Sequence, residues 1–317
     1  MNIPVFDLHC DTALALFEHN DRPEKQLRQN DCHIDLERAG KLAGYCQCFA
    51  CFTTPFMQKW MNISAETVFE KELEVLQKGL SENQDLIRQA FTAADVEENL
   101  KNGMMSAVLT IEGPAGFGFD PARLEALYQQ GFRITSLGWN EQTPLAGSHV
   151  TGGGLTDLGR EYIKEAQRLG MIIDVSHISD EAFWNIMDVT QAPVIATHSN
   201  SRAVCNHSRN LTDDMFLAIC KTGGVAGFNM CDDFVGTAPD LNTCCDHFLH
   251  FMELDPEGKH IALGGDLDGV ETLPNGVTGV ESYPDLADAL LARGLSEENL
   301  HNIYWKNALG VMKRCCI

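Results

Sequence analysis

Near its start the chain reads Val5-Phe6-Asp7-Leu8-His9-Cys10-Asp11-Thr12, and this stretch decides how the remaining residues are interpreted. Its apolar part predicts a buried strand, and its end carries His9 and Asp11, whose residue types can bind metal ions. Residues i and i+2 of a strand project from the same face, so both side chains can reach one ion. Taken alone, the pattern also fits two polar residues at the end of an exposed strand.

Seven similar apolar stretches follow, and helical patterns separate them. Near-continuous apolar character is typical of strands buried on both faces of a parallel sheet. Strands that alternate with helices predict an α/β fold, a (β/α)8 TIM barrel, as a single domain over residues 1–317. An open doubly wound sheet is the alternative, but no GxGxxG motif follows the first strand. The predicted strands cover residues 5–12, 44–52, 104–112, 133–139, 171–177, 193–199, 224–230 and 260–266.

Helical periodicity and capping residues place the helices between these strands. Two further helices at the end of the chain are expected to close the barrel. The predicted helices cover residues 64–80, 121–130, 155–169, 179–189, 213–221, 243–254, 283–292, 296–303 and 305–313.

The composition limits the classes of partner. The chain has 23 Lys and Arg residues against 45 Asp and Glu residues, a net charge of −22. Nucleic acids and anionic membranes need clustered Lys and Arg, so we expect neither as a partner. No apolar run approaches the roughly 20 residues of a membrane-spanning helix, and the first residues lack the pattern of a signal peptide. These features predict a cytoplasmic protein.

The 12 cysteines are expected to be buried, reduced thiols, because an even count without a secretory signal does not imply disulfides. Cys48 and Cys51 form one CxxC pair, but a cysteine zinc site usually needs a second pair. The sequence has no GxSxG motif and no cysteine with a convincing catalytic histidine. Covalent catalysis is therefore not expected.

Metal-binding side chains concentrate at the carboxyl ends of the predicted strands, the rim where barrel enzymes hold their active sites. Individually, these residues have structural explanations, such as capping a turn or filling a buried polar position. Together, three imidazoles and two carboxylates converging on one rim suit two divalent ions, Zn²⁺ or similar. An aspartate at the end of the eighth strand joins them. The rim residues are His9, Asp11, Glu112, His177, His198 and Asp266.

Two other patterns resemble metal sites. Asp266-Leu267-Asp268-Gly269 is similar to the start of a calcium loop, but Val277 stands where that loop requires Glu. His247 and His250 lie at i and i+3 of a predicted helix. No third ligand is nearby in the sequence, so we expect a surface face for this pair.

Six motifs occur in order along nearly the whole chain, and their combination resembles the membrane (renal) dipeptidase family. These zinc-dependent dipeptidases belong to the amidohydrolase-like superfamily of metal-dependent barrels. Most barrel hydrolases of that wider group begin with HxH, so HxD favours this family. The motifs are Asp7-Leu8-His9-Cys10-Asp11-Thr12, Ile111-Glu112-Gly113, Asp174-Val175-Ser176-His177, His198-Ser199-Asn200, Ser208-Arg209-Asn210 and Gly264-Gly265-Asp266-Leu267-Asp268-Gly269.

The resemblance implies a binuclear metal centre. His9 and Asp11 match the family's ligands to a first zinc ion. Glu112 matches the carboxylate that bridges both ions, and His177 and His198 match the ligands to the second.

The resemblance also implies substrate contacts. Arg209 matches the arginine that receives the C-terminal carboxylate of the substrate, a task for which a guanidinium fork is well suited. Asp266 matches the aspartate that moves protons beside the metal-bound water. Trp139 departs from the pattern, because the well-known dipeptidases carry a substrate-facing histidine there. Tryptophan offers one N–H donor and no titratable group.

From the resemblance we expect hydrolysis of a dipeptide amide bond by a hydroxide activated by two metal ions. Glu112 and Asp266 would then take part in catalysis, and a homodimer is implied. Because of Trp139, the same hydrolase acting on another small amide, an N-acyl amino acid or a lactone is an alternative. A catalytically silent metal- or ligand-binding protein is a third hypothesis, against which the retained Asp266 argues.

Overall fold

A computed structural model describes residues 2–18 and 26–316 of the chain. Its parallel strands are β1 Val5–Cys10, β2 Tyr45–Phe52, β3 Ile87–Gln89, β4 Met105–Glu112, β5 Phe132–Thr135, β6 Ile172–Asp174, β7 Val194–Ile195, β8 Ala226–Phe228 and β9 Ile261–Leu263. Its α-helices are α1 Thr12–Glu18, α2 Leu36–Ala39, α3 Met57–Trp60, α4 Ala65–Glu82, α5 Ala93–Lys101, α6 Leu124–Gln130, α7 Asp157–Leu169, α8 Asp180–Val189, α9 Asp213–Thr222, α10 Asp232–Val235, α11 Leu241–Leu254, α12 Tyr283–Ala292, α13 Glu297–His301 and α14 Asn307–Cys315.

The strands form a nearly closed parallel barrel in the order β7-β6-β5-β4-β2-β1-β9-β8. A parallel bridge between Ala196 and Ala226 joins the two ends of this series, just beyond β7 and within β8. The predicted (β/α)8 barrel is therefore confirmed, and the open doubly wound sheet is wrong. All eight predicted strands are present, although several are shorter than expected.

One strand, β3, and five α-helices were not predicted, namely α1, α2, α3, α5 and α10. β3 pairs with the first half of β4, on the side where β5 pairs with the second half. Its three residues are too few to show a period. The helix α5 did carry a readable signal, because Thr92 and Asp95 form a capping box at its start.

Helix ends follow the expected chemistry. Ser64, the first residue of the predicted helix 64–80, caps α4 by accepting a hydrogen bond from the N–H of Thr67. Gly170 ends α7 in the left-handed conformation, with φ of 89°, which glycine adopts without a steric penalty.

The end of the chain forms the base of the barrel core. α13 and α14 are joined by a π-helical turn, Asn302–Lys306, so the two predicted closing helices run on from one another. Inward-facing strand residues such as Phe6 and Ile134 share one buried cluster with Trp305 and Met312. This packing leaves the opposite, carboxyl end of the strands for the site.

Within the described ranges, no helix combines the length and apolar character needed to cross a bilayer. None of the 12 cysteines, all of which lie in the described ranges, forms a disulfide. Eight are buried as expected, but Cys32, Cys205, Cys220 and Cys231 are only half-buried.

Candidate metal centre and active site

The six rim residues predicted from the sequence lie together at the carboxyl end of the barrel. His9 lies within β1, and Glu112 is the last residue of β4. By contrast, His177, His198 and Asp266 lie in turns beyond the ends of β6, β7 and β9. The predicted strands were too long at these three places, because the chain leaves the sheet before it reaches the polar residue.

These turns hold unusual backbone conformations. The φ angle is 68° at His177, 56° at Asp266 and 69° at Asp268. In the described part of the chain only six residues other than glycine have a positive φ, so half of them lie at this rim. Such conformations cost on the order of 1–3 kcal/mol each and cluster at functional sites.

A first group of ligand atoms surrounds the ring of His9. Its Nε2 atom lies 3.1 Å from Glu112 Oε2, 3.5 Å from Asp11 Oδ2 and 3.7 Å from Asp266 Oδ1. All four side chains are buried. Two sets of atoms are each close enough to hold one metal ion, namely His9 with Asp11 and Asp266, and His9 with Glu112 and His198.

A second group gathers on the other oxygen of Glu112. Oε1 lies 2.9 Å from His177 Nε2 and 3.8 Å from His198 Nε2, and these two ring nitrogens are 2.9 Å apart. The two oxygens of one carboxylate thus face different sets of nitrogen ligands. A carboxylate in this position can bridge two cations.

Buried atoms of the first group lack hydrogen-bond partners. His9 Nε2 and Asp11 Oδ1 have none, although buried polar atoms are nearly always paired. The 3.1 Å approach of Glu112 to His9 is therefore a contact without hydrogen-bond geometry. Gly269 keeps the space open, because a Cβ atom there would collide with Oδ2 of Asp11 and Oδ1 of Asp266. Unpaired nitrogen and oxygen ligands around a protected space fit a divalent cation.

Charge in the site also fits a cation. Burial and the charge of Arg209 lower the pKa of His177, and burial and the charge of His9 lower the pKa of His198, both well below the usual value. The two rings are then neutral near pH 7, each with a lone pair available. Burial raises the pKa of Glu112 to about 7, and a bound cation would favour its ionised form.

His198 is held by residues at the strand ends. Its Nδ1 lies 2.7 Å from Thr197 Oγ1, and the Thr197 hydroxyl donates to Asp174 Oδ2 at 2.6 Å. Asp174 Oδ1 also accepts the backbone N–H groups of Ser176 and Thr197. Since the hydroxyl hydrogen is committed to Asp174, its oxygen accepts the Nδ1 hydrogen of His198. The Nε2 atom of His198 is then left as the ligand atom.

His177 is held by a loop. Asn140 Oδ1 lies 2.8 Å from His177 Nδ1 and 2.8 Å from His149 Nε2. An amide oxygen only accepts hydrogen bonds, so both rings donate to it. His149 Nδ1 then accepts from the hydroxyl of Ser208, 2.8 Å away. Burial and the charge of Arg209 lower the pKa of His149 to about 3, so its ring is neutral, as this chain of bonds requires.

Asp266 has one anchored and one free oxygen. Asn229 Nδ2 donates to Oδ2 at 2.9 Å, while Oδ1 faces His9. Asn229 is itself fixed, because its N–H donates to Asn200 and its Oδ1 accepts the N–H of Cys231. Burial raises the pKa of Asp266, which suits a group that takes up and returns a proton.

Arg209 is a buried cation beside the site. Its terminal nitrogens donate to Ser199 Oγ and to the backbone oxygen of His198, each at 3.3 Å, and its Nε has no hydrogen-bond partner. Its guanidinium also lies over the ring of Phe234, 5.4 Å from the centroid. A buried guanidinium with an unused donor suits an anionic group such as a carboxylate.

An open cavity of about 310 Å³ gives access to these residues. Glu112, His177 and Asp266 line it, and so does Trp139. The Trp139 ring lies 6.0 Å from the ring of His177 and 5.3 Å from that of Phe52, measured between centroids. The cavity is of the size that small-molecule sites have.

Several residues that support the site were not singled out from the sequence. Asp174 lies inside a quoted motif, and a carboxylate at the end of an apolar run, three residues before a predicted ligand, was a usable signal. Asn140, His149 and Asn229 gave no comparable signal, since their contacts depend on the path of loops.

The expected surface position of His247 is wrong. The side chain is buried, accepts the N–H of Ser201 and lies 2.9 Å from the backbone oxygen of Val235. The spacing of His247 and His250 does not reveal which face of the helix packs inward. His250 is half-buried and contacts Asp213. Asp268 also leaves the line of β9, since it accepts from Thr12 and from the N–H of His33.

The chain is similar to known proteins over nearly its whole length. The model of the family described as membrane dipeptidase, peptidase family M19, matches residues 1–315. A Klebsiella pneumoniae protein, described as an uncharacterized protein in the pqqA 5′ region, is 34% identical over 257 residues, which are 77% of this chain and 94% of that protein. The uncharacterized dipeptidase C3A11.10c of Schizosaccharomyces pombe is 35% identical over 216 residues, 66% of this chain and 53% of that protein.

Solved structures share the fold. A crystal structure of a metallo peptidase from Rhodobacter sphaeroides, liganded with a phosphinate mimic of the dipeptide L-Ala-D-Ala, superposes with a TM-score of 0.90. The two chains are 27% identical, and the superposition covers 99% of each.

Proposed function

Because the chain belongs to the membrane dipeptidase family, peptidase family M19, we propose that it is a metal-dependent dipeptidase that hydrolyses the amide bond of dipeptides. The observation that carries this proposal is the convergence of five buried ligand side chains and Asp266, with unpaired atoms among them, under an open cavity. The dipeptide mimic bound to the Rhodobacter sphaeroides relative supports a dipeptide as the substrate class.

We assign the resident metal as two divalent ions, with Zn²⁺ the preferred species for nitrogen and oxygen ligands. His9 and Asp11 would hold one ion, His177 and His198 the other, and Glu112 both. Bound ions of this kind lower the pKa of water and stabilise negative charge on a carbonyl oxygen.

The remaining steps belong to the chain's own side chains. Arg209 would bind the carboxylate of the dipeptide and so place its amide carbon over the site. Asp266 Oδ1 would accept a proton from the attacking water as the new C–O bond forms. The same oxygen would return that proton to the amine nitrogen as the C–N bond breaks. Asn229 would keep Oδ1 directed at the site by holding Oδ2.

Trp139 favours a second candidate within the same chemistry. Its indole lines the cavity next to His177, at the position where the resemblance to the family implies a histidine. An aromatic wall there suits a larger apolar acyl group, so another small amide, an N-acyl amino acid or a lactone is the alternative substrate. A homodimer and a cytoplasmic location stay predictions that accompany the proposal.

A substrate screen separates these candidates. Metal-stripped protein reloaded with Zn²⁺ is assayed on L-L and L-D dipeptides, N-acyl amino acids and lactones. We expect turnover of dipeptides that is lost on stripping and reduced by about 10²–10⁴ in Asp266→Asn. Hydrolysis only of the other compounds would select the alternative. Two bound ions without turnover of any compound would instead indicate a binding protein.

A further inference from the structure

The pair formed by Asn140 and His149 is not used in the proposed reaction, yet it holds one ligand of the site. We infer that His149 is a positioning residue for His177, acting through Asn140. The inference rests on the proposed function only in taking His177 as a metal ligand.

The argument starts from the two nitrogens of an imidazole. A neutral ring carries its hydrogen on one nitrogen and binds a metal through the other. His177 Nδ1 faces Asn140 and Nε2 faces Glu112 and His198. The ring can ligate through Nε2 only while Nδ1 keeps the hydrogen, and this requires an acceptor opposite Nδ1.

Asn140 alone does not guarantee an acceptor. Its amide can turn by 180° and present the NH₂ group in place of the oxygen. The NH₂ group would donate to Nδ1, the ring hydrogen would move to Nε2, and the ligand lone pair would be lost. His149 prevents this turn, because its Nε2–H donates to the same Asn140 oxygen at 2.8 Å.

His149 is itself fixed in the orientation that this role needs. Ser208 Oγ lies 2.8 Å from its Nδ1, and the hydroxyl can donate there, which leaves the ring hydrogen on Nε2. Its backbone N–H donates to the carbonyl oxygen of His177 at 2.8 Å, and Ser148 Oγ donates to the carbonyl oxygen of Asn140. The loop, the amide and the ligand therefore form one connected unit.

Two substitutions separate positioning from packing. His149→Gln can place an amide NH₂ near the position of Nε2 and keep a donor to Asn140, whereas His149→Asn is too short to reach it. His250→Asn, on α11 away from the site, is the matched control. Zn²⁺ affinity is measured by competition with a chromogenic chelator, and Co²⁺ absorption reports the coordination geometry. Unfolding midpoints of the metal-free proteins check the fold.

We expect His149→Asn to weaken the binding of one Zn²⁺ ion by about 10-fold to 100-fold and to change the Co²⁺ spectrum. The Zn²⁺ affinities of His149→Gln and His250→Asn should stay within about threefold of wild type. The Gln variant keeps a donor to Asn140, and His250 takes no part in this contact. Wild-type affinity in a folded His149→Asn, or equal losses in the Asn and Gln variants, would overturn the inference.

Asn140 offers an independent test if His149→Asn does not fold. A carboxylate accepts in either orientation, so Asn140→Asp should bind Zn²⁺ at least as well as wild type, and adding Asn140→Asp to a His149 variant should restore binding. Asn140→Leu should lose about as much Zn²⁺ affinity as His149→Asn. Wild-type Zn²⁺ affinity in Asn140→Leu would refute the positioning of His177 through Asn140. These readouts use Zn²⁺ and Co²⁺ alone, so a protein that binds both but hydrolyses no dipeptide refutes only the proposed function.

Discussion

The two histidines that face Glu112 Oε1 are supported by different parts of the molecule. His198 is held by Thr197, just beyond β7, and through it by Asp174 at the end of the neighbouring strand β6, whose Oδ1 also accepts backbone N–H groups. His177 is held by Asn140 and His149, which belong to the loop between β5 and α7.

The two supports differ in how closely they are tied to the folding of the barrel. Asp174 ties β6 to the segment after β7, so the support of His198 is part of the barrel itself. Asn140 and His149 make contacts between loop residues, so substitutions there should lower the stability of the barrel less. We therefore expect substitutions on the His198 side to affect folding and metal binding together, and substitutions on the His177 side to affect mainly metal binding.

The largest effect should come from removing either histidine. His177→Ala and His198→Ala are each expected to reduce dipeptide turnover below about 1% of wild type, since the loss of a ligand removes several kcal/mol of metal catalysis. Turnover and bound metal are measured on the same samples. A variant that keeps full turnover would remove that histidine from the site.

The next largest effect should come from Asp174→Ala. Two buried N–H groups and a hydroxyl would lose their acceptor, at about 1–3 kcal/mol each, so the free energy of unfolding should fall by about 4 kcal/mol. Urea denaturation of the metal-free protein measures it. Asp85→Ala, at an exposed ion pair with Arg28, should change it by less than about 0.5 kcal/mol. If Asp174→Ala lowered the free energy of unfolding no more than His149→Asn does, the contrast between the two supports would be contradicted.

The same contrast explains how much the sequence predicts. Strand ends are marked by apolar runs, so His9, Glu112, His177, His198 and Asp266 could be assigned to one rim without coordinates. The support of His198 lies in the motif of a neighbouring strand. The support of His177 depends on how the long loop folds back, and no local pattern encodes that path.

Helices show a related limit. Capping residues and periodicity gave α12 with its observed bounds, and β3 was missed because three residues carry no period. His247 was misplaced because the spacing of two histidines does not reveal which face packs. Local chemistry thus predicts where elements begin and end better than it predicts their contacts.

Glu112 contacts both supported histidines, His177 and His198, and gives the third prediction, a pH dependence. Burial raises its folded pKa from 4.5 to about 7, so the folded metal-free protein binds this proton more tightly than the unfolded chain. Below about pH 4.5 Glu112 therefore does not lower the free energy of unfolding. As the pH rises from there to about 7, the buried Glu112 lowers the free energy of unfolding progressively. Metal-free Glu112→Gln should then be more stable than wild type by up to about 3 kcal/mol at pH 8 and by little at pH 4.

Thermal or urea unfolding of both proteins across this pH range measures the difference. The unfolding of the Zn²⁺-loaded proteins provides the control, because Glu112→Gln has lost a ligand and should there be the less stable protein. A stability difference in the metal-free proteins that does not vary with pH would contradict the raised pKa of Glu112.

The smallest effects should come from single hydroxyl groups, one on each side. Thr197→Val removes the hydroxyl that accepts from His198 and donates to Asp174. Zn²⁺ binding should therefore weaken by about 10-fold or more. Ser208→Ala removes a more distant bond to His149 and should weaken Zn²⁺ binding by less than about fivefold. Chelator competition measures both, and the reverse order would show that the loop support is the more important one.

The most direct test of the metal-dependent dipeptidase is a Zn²⁺ titration of the stripped protein, followed by turnover of L-Ala-L-Ala and L-Ala-D-Ala. The account predicts no turnover without metal and an increase that reaches its maximum when two ions are bound per chain. Turnover by the stripped protein, or no dipeptide turnover with both sites filled, would contradict it.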